Sequence, residues 1–279
     1  MKRIAVLMTV HNRCETTLKC LHDLFANTLP DGYRMQVFMT DDASTDGTAE
    51  AVSSLYPSVH IIQGDGHLFW NRGMWTAWQE ASKADYDYYL WLNDDTFLYD
   101  DALEVLVTTS ALSEDQAIIV GATEDRAHQS VTYGGFVGTL VHPVIPELTG
   151  QPVEINYFNG NIVLVPRVVY QVLGNLDYRF RHDKGDIDYG LRAQEAGIRM
   201  VMVGKPLGEC DLHPRADRWR DPALSLKDRW QALKEPTGMA PGEFFYFDQK
   251  HYGVLTGLKH YVSIHLQCLF PTLWNQDKS

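Results

Sequence analysis

The stretch "YYLWLNDDTFLYD" (88–100) decides the fold. It begins as an unbroken aromatic and aliphatic run and then stops at Asn93, Asp94 and Asp95. A strand covered on both faces reads as such a run, because neither face meets water. A buried strand has no internal use for two adjacent carboxylates. They are expected at its exit, where they either face solvent or hold something positively charged.

Working outward, strand-like and helix-like segments alternate. Strands are expected at 3–9, 35–40, 59–63 and 86–93, with helices at 14–27, 45–56, 71–83 and 101–112 between and after them. Pro30 and Pro57 stop the first two helices. Further strands are expected at 117–123, 161–166 and 198–204, and a helix at 186–197 with Gly197 just past its end. Residues 131–152, rich in Gly and Pro, read as short antiparallel strands and loops. The alternation predicts an α/β fold whose mostly parallel central sheet carries helices on both sides. Beyond about residue 214 the pattern turns aromatic and irregular.

The bulk numbers narrow the function classes. At 279 residues the chain is long enough for one large α/β domain. A formal charge of −12 argues against nucleic acid as a partner, since that needs a basic face. It does not exclude a phosphate-bearing small molecule, because a divalent cation reverses the local sign. Cys14, Cys20, Cys210 and Cys268 form no CxxC pair and read as free thiols of a reducing, cytoplasmic compartment. The apolar part of "MKRIAVLMTV" is too short for a signal peptide and runs straight into His11, Asn12 and Arg13. No run reaches the ~18 apolar residues of a membrane span.

In open α/β sheets ligands collect beyond the carboxyl ends of the strands. Here four successive strands deliver polar groups there. Thr9, His11, Asn12 and Arg13 follow the first, "DDASTDGT" (41–48) the second, "GDGHLFWNRGM" (64–74) the third and "NDDT" (93–96) the fourth. Ser44 to Asp46 read as the cap of the next helix. Asp42 lies before that cap and is placed to accept a hydrogen bond from a base N–H. Mg²⁺ or Mn²⁺ takes one or two carboxylates plus phosphate oxygens, which suits Asp95, with Asp94 or Asn93 free for a ribose hydroxyl. Trp70 is expected to stack on a sugar ring, whereas Trp75 and Trp78 belong to the core. Asp186 is either an N-cap or a general base. Asp188 and Arg192 are spaced for a structural i, i+4 pair.

Taken in order, "TVHNR", "DDASTDGT", the N-x-G of "WNRGM", "LNDDT", "FNGNIVLVPR", "GDIDYGLRAQEAG" and a later His resemble the family 2 glycosyltransferases of the GT-A fold over roughly residues 3–213. The resemblance implies an inverting, metal-dependent transfer from a UDP- or dTDP-sugar to a saccharide or lipid-linked acceptor. The setting it implies is bacterial surface polysaccharide or O-antigen synthesis at the inner face of the cell membrane. Thr9, His11, Arg13, Asp42 and Asp94 would bind the nucleotide, and Asp95 and His213 a divalent metal. Trp70, Asn71, Arg72, Gly160 and Asn161 would line the donor sugar and acceptor, and Asp186 would be the base. The chain departs from the family pattern at Val10-His11-Asn12 in the first motif, at Trp70 where an Arg is common, and at Gly185 where a Glu usually precedes the base.

The expected organisation is a catalytic domain at 1–213, with its nucleotide-sugar half at about 1–100 and its acceptor half at about 101–213, followed by an extension at 214–279. The tail 242–274 is aromatic with several Lys and His. A helix packed on the domain or a homodimer contact is the preferred reading, and a peripheral membrane contact the other. Two competing functions remain at this stage. A sugar nucleotidyltransferase would want a glycine-rich loop after the first strand, where "TVHNRCET" has none. A non-catalytic glycan-binding module would not need both Asp95 and Asp186.

Overall fold

A computed structural model describes residues 1–212 and 217–274. The chain divides into two compact units. The first comprises Met1–Tyr178 and Gly185–Leu212, the second Arg179–Lys184 and the chain from His213 onward.

The first unit begins with the expected alternation: β1 (Lys2–Val10), α1 (Cys14–Ala26), β2 (Tyr33–Asp41), α2 (Thr48–Leu55), β3 (His60–Gln63), α3 (Phe69–Ala81), β4 (Tyr88–Leu92), β5 (Phe97–Leu98) and α4 (Ala102–Leu112). It continues through β6 (Ile118–Glu124), β7 (Val131–Tyr133), β8 (Gly135–Thr139), β9 (His142–Val144), β10 (Val153–Glu154), β11 (Tyr157–Phe158) and β12 (Ile162–Pro166). It ends with α5 (Arg167–Leu173), α6 (Gly185–Glu195) and β13 (Met200–Glu209).

The main sheet runs β10-β13-β6-β12-β4-β1-β2-β3, and β11-β8-β9 form a small separate sheet. Strands β1, β2, β3 and β4 are mutually parallel, as are β6 and β13. Strand β12 runs antiparallel between β4 and β6, and the short strands β5, β7 and β10 also pair antiparallel with β13 or β6. Alternate residues of each strand face opposite sides of the sheet. Ile4, Val6, Met8, Leu90 and Leu92 therefore join a core with Leu21 and Leu24 of α1 and Leu103 and Leu106 of α4. Ala5, Leu7, Tyr89 and Trp91 join the other core with Met74, Ala77 and Trp78 of α3 and Tyr189 of α6.

Two consequences of this topology build the site. The chain leaves β1 toward β2 and β3, then returns to place β4 on the other side of β1, so a crevice opens between the ends of β1 and β4. Because β12 is antiparallel, the residues before it lie beside the residues after β4. Asn93 N donates to Asn161 O across that junction at 3.1 Å.

The second unit is helical: α7 (Leu226–Lys234), α8 (Pro241–Tyr252) and α9 (Val254–Leu269). Its core gathers Trp219, Ala232, Leu233, Ile264 and Cys268. The segment that read as irregular thus folds into helices around a small core of its own.

Candidate functional site

The loops after β1 and β2 are stitched together by Asn12. Its backbone N–H donates to Ser44 Oγ at 2.9 Å, and its Oδ1 accepts from Thr45 N at 2.7 Å. Asp46 Oδ1 accepts from Thr48 N at 3.1 Å at the start of α2, while its Oδ2 accepts from Cys14 N at 3.0 Å at the start of α1. Ser44 and Thr45 thus do not cap α2, which begins at Thr48 after Gly47; they bond Asn12, and Asp46, lying before the helix, clamps the starts of α1 and α2 together. His11 Nδ1 donates to the Asp42 carbonyl at 2.6 Å, which leaves Nε2 to accept from Asn12 Nδ2 at 3.1 Å. The imidazole is exposed but fixed in orientation.

Asp42 is buried, and its carboxylate accepts three backbone N–H bonds. These come from Gly66 at 2.8 Å, Leu68 at 2.9 Å and Phe69 at 3.0 Å. It caps α3 from a distant loop, where negative charge also meets the positive end of the helix. Three non-glycine residues on these loops sit at positive φ: Asn12 (51°), Ala43 (57°) and Phe69 (56°). Each costs on the order of 1 kcal/mol, and the clamps hold that strain in place. Thr9, at the end of β1, lies so close to α3 that a Cβ on Gly73 would fall 2.0 Å from its Oγ1.

At the crevice between β1 and β4, Arg13 Nη1 donates to both acidic side chains, to Asp94 Oδ1 at 3.2 Å and Asp95 Oδ2 at 2.7 Å. Asp94 is buried and also accepts from Thr17 Oγ1 at 3.5 Å. Burial pushes its carboxyl up from 3.8 to about 7, against the pull of Arg13 and with the charge of Asp95 adding to the rise. Burial alone would lower the Arg13 guanidinium, but the charges of Asp94 and Asp95 outweigh it and raise it. Cys210, just past β13, donates Sγ–H to Asp95 Oδ1 at 3.8 Å and accepts from Asn161 Nδ2 at 3.6 Å. Desolvation, reinforced by Asp95, pushes its thiol up to about 12.

The same edge holds Asp186, at the start of α6. Its Oδ2 accepts from Gly160 N at 3.1 Å and its Oδ1 from Ile187 N at 2.8 Å. Trp70 lies across Gly160, where a Cβ would meet its Cζ2 at 2.5 Å. Its Nε1 donates to Asn93 Oδ1 at 2.7 Å. The close approach that Gly160 permits is thus made by the indole of Trp70. Asn71 is fully buried and donates to Asp177 O at 2.9 Å. A Cβ at Gly185 would fall 1.7 Å from Asn71 Oδ1, a physical reason for glycine immediately before Asp186. Arg72 turns to Tyr178, donating from Nε to its carbonyl at 2.9 Å and stacking over its ring at 4.7 Å. Trp78 is fully buried and Asp188 pairs with Arg192 at 2.9 Å, as expected.

Thr9, His11, Arg13, Asp42, Trp70, Asn71, Asp94, Asp95, Gly160, Asn161 and Asp186 are therefore gathered along the carboxyl-terminal edge of one sheet. Arg72 sits on α3 but is engaged with Tyr178. His213 lies outside the described residues. Thr17 and Cys210 were not singled out by sequence as site residues. No signal in the sequence marked Cys210, because the strand expected at 198–204 in fact runs on to Glu209.

Among the described residues no group of three His, Cys, Asp or Glu side chains is placed to hold a metal ion. The pair Asp94 and Asp95 nevertheless suits a hard divalent ion that takes its remaining ligands from phosphate and water. Both carboxylates already converge on one cationic nitrogen, and a metal there would require Arg13 to withdraw.

A twisted, mostly parallel sheet flanked by helices, a small antiparallel sheet and an acidic carboxyl-terminal edge define the GT-A fold. Residues 5–134, just under half of the chain, match the family described as Glycosyl transferase family 2. Among solved structures, S. aureus TarS is similar with a TM-score of 0.57 at 12% identity, covering 77% of this chain and 37% of that one. TarS 1–349 in complex with UDP is similar with a TM-score of 0.55 at 13% identity, covering 77% of this chain and 62% of that one. This chain therefore spans less than two thirds of those structures, and the likeness at this identity is one of fold. No curated protein matches the sequence. Among the described residues no helix is long and apolar enough to cross a membrane.

Proposed function

We propose that this chain is a glycosyltransferase that moves a sugar from a UDP- or dTDP-sugar to a hydroxyl of a saccharide or lipid-linked acceptor, with inversion. The observation that carries the reading is the convergence of Arg13, Asp94 and Asp95 with Asp186 on one sheet edge, joined through Gly160, Asn161 and Cys210. The family match over residues 5–134 and the UDP complex of the similar TarS structure support a nucleotide-sugar donor.

In this reading the nucleotide lies over the ends of β1, β2 and β4. Thr9 and the oriented His11 ring flank the base, and Asp42 offers the base N–H the acceptor capacity left by its three backbone bonds. Asp94 takes the ribose. A divalent ion held by Asp95, with His213 as a further ligand, would offset the charge of the diphosphate leaving group. Trp70 presents its face to the donor sugar, with Asn71, Arg72, Gly160 and Asn161 in the supporting wall. Asp186 takes the proton of the attacking hydroxyl as that oxygen bonds to the anomeric carbon and the diphosphate departs from the opposite side. The backbone N–H groups of Gly160 and Ile187 bond one oxygen each of the Asp186 carboxylate and so fix its orientation. The biological setting that fits is surface polysaccharide assembly.

The test measures nucleoside diphosphate release and nucleotide binding for wild type and Asp186→Asn. Turnover should fall about 10²–10⁴-fold, as for loss of a general base, with nucleotide affinity nearly unchanged. Equal turnover in both proteins would refute the assignment of Asp186.

A further inference from the structure

Helix α9 carries two apolar faces, and the second unit uses one. Gly257, Ile264 and Cys268 are buried in that unit. Elsewhere around the helix, Leu255, Leu258, Val262, Leu266 and Leu269 recur at the spacing of a single helical stripe. All five are exposed, Leu255 at 84% and Val262 at 53%. Phe270, Leu273 and Trp274 extend the exposed apolar surface past the helix end. Isolated exposed leucines are ordinary, but a contiguous stripe marks a surface that is covered in use.

The charge around this stripe chooses the partner. The chain is −12 overall, yet from Gln249 to Trp274 it has no Asp or Glu, while Lys250, His251, Lys259, His260 and His265 fall there. Of these, His260 faces Asp248 of α8 at 2.9 Å. A second copy of α9 would bring another lysine and no carboxylate on the helix to answer Lys259. An anionic lipid surface answers both the apolar stripe and the lysines Lys250 and Lys259, which no carboxylate between Gln249 and Trp274 offsets. Tyr252, Tyr261 and Trp274, each partly exposed, have the amphipathic rings that settle at the headgroup level. With 16 residues, α9 is suited to lie in the interface and not to span it.

We propose that the exposed face of α9, with Phe270 and Trp274, docks on the anionic phospholipid surface of a bilayer. This docking stands independently of the transferase reading. It is tested by co-sedimentation of the full chain with vesicles of phosphatidylcholine alone and of phosphatidylcholine mixed with phosphatidylglycerol. The expected result is binding to the anionic vesicles that weakens with added salt. Val262→Glu and Leu266→Glu should each lower the partition coefficient by roughly tenfold or more, the equivalent of losing one buried aliphatic side chain. Lys259→Glu, which removes no apolar contact, should weaken binding to the anionic vesicles alone. Circular dichroism of each variant checks that α9 remains folded. Absence of vesicle binding, equal binding to neutral vesicles, or a dimer in sedimentation that Val262→Glu dissociates would each overturn the proposal.

Discussion

Replacing Gly160 by Ala tests the packing that holds Trp70 beside Asp186. The added Cβ would sit 2.5 Å from Trp70 Cζ2, 2.6 Å from Cη2 and 3.4 Å from the Asp186 Cβ. Carbon atoms prefer about 3.5–4.0 Å, so the indole must retreat by about 1 Å. It is not free to do so. Its Nε1 is bonded to Asn93 Oδ1 at 2.7 Å, and it packs edge-to-face on Trp91 with centroids 6.2 Å apart. Overpacking of this kind costs about 1–3 kcal/mol, and loss of the hydrogen bond adds about 1 kcal/mol. We expect Gly160→Ala to cost about 2–3 kcal/mol, seen as a fall of roughly 4–12 °C in Tm. The cause is isolated by repeating the change in a Trp70→Phe background, where the outer edge of the indole is gone. There the added methyl should be nearly neutral, giving a coupling of about 2–3 kcal/mol in a double-mutant cycle. Thermal unfolding followed by circular dichroism measures all four proteins. An equal cost of Gly160→Ala in both backgrounds would refute the packing argument.

Asp94 makes stability depend on pH in the metal-free protein. Its folded carboxyl is raised from 3.8 to about 7, so the folded state binds the extra proton between those values. Stability contributed by this residue is complete below pH ~4 and declines as pH rises toward 7, with an upper bound of about 4 kcal/mol. The Asp94→Asn variant should therefore gain on wild type as pH rises through that window in denaturant titrations, and parallel pH profiles would refute the assignment. Arg13→Ala leaves Asp94 and Asp95 without their shared guanidinium and should destabilise the fold by about 1–3 kcal/mol, discounted because Arg13 is 45% exposed. Mn²⁺ should then raise its Tm more than that of wild type, because the ion no longer competes with Arg13. An equal shift in both proteins would show that the ion does not occupy this pair.

Much of the frame was legible in the chain. The apolar runs of β1, β2 and β4 and the helical spacing of α1, α3 and α4 are local properties, set by periodicity and by Pro and Gly at the boundaries. The polar loops were legible for the same reason, since each immediately follows its strand. The helices of the second unit were harder to see. In α9 apolar residues occur both on the buried side and on the exposed stripe, so the contrast that marks an ordinary amphipathic helix is weak. The role of Gly185 was not legible at all. Its reason is the carboxamide of Asn71, more than a hundred residues earlier in the chain.

The sequence by itself determined which residue types stand at the ends of the strands, because side-chain chemistry and strand period are written locally. Only the tertiary structure decided which of those groups meet. The antiparallel run of β12 brings Gly160 and Asn161 beside Asn93, and the return of β4 past β1 brings Arg13 onto Asp94 and Asp95. Such pairings depend on strand order and direction, which arise from packing two apolar faces of one sheet at once and leave no mark in any single stretch of chain.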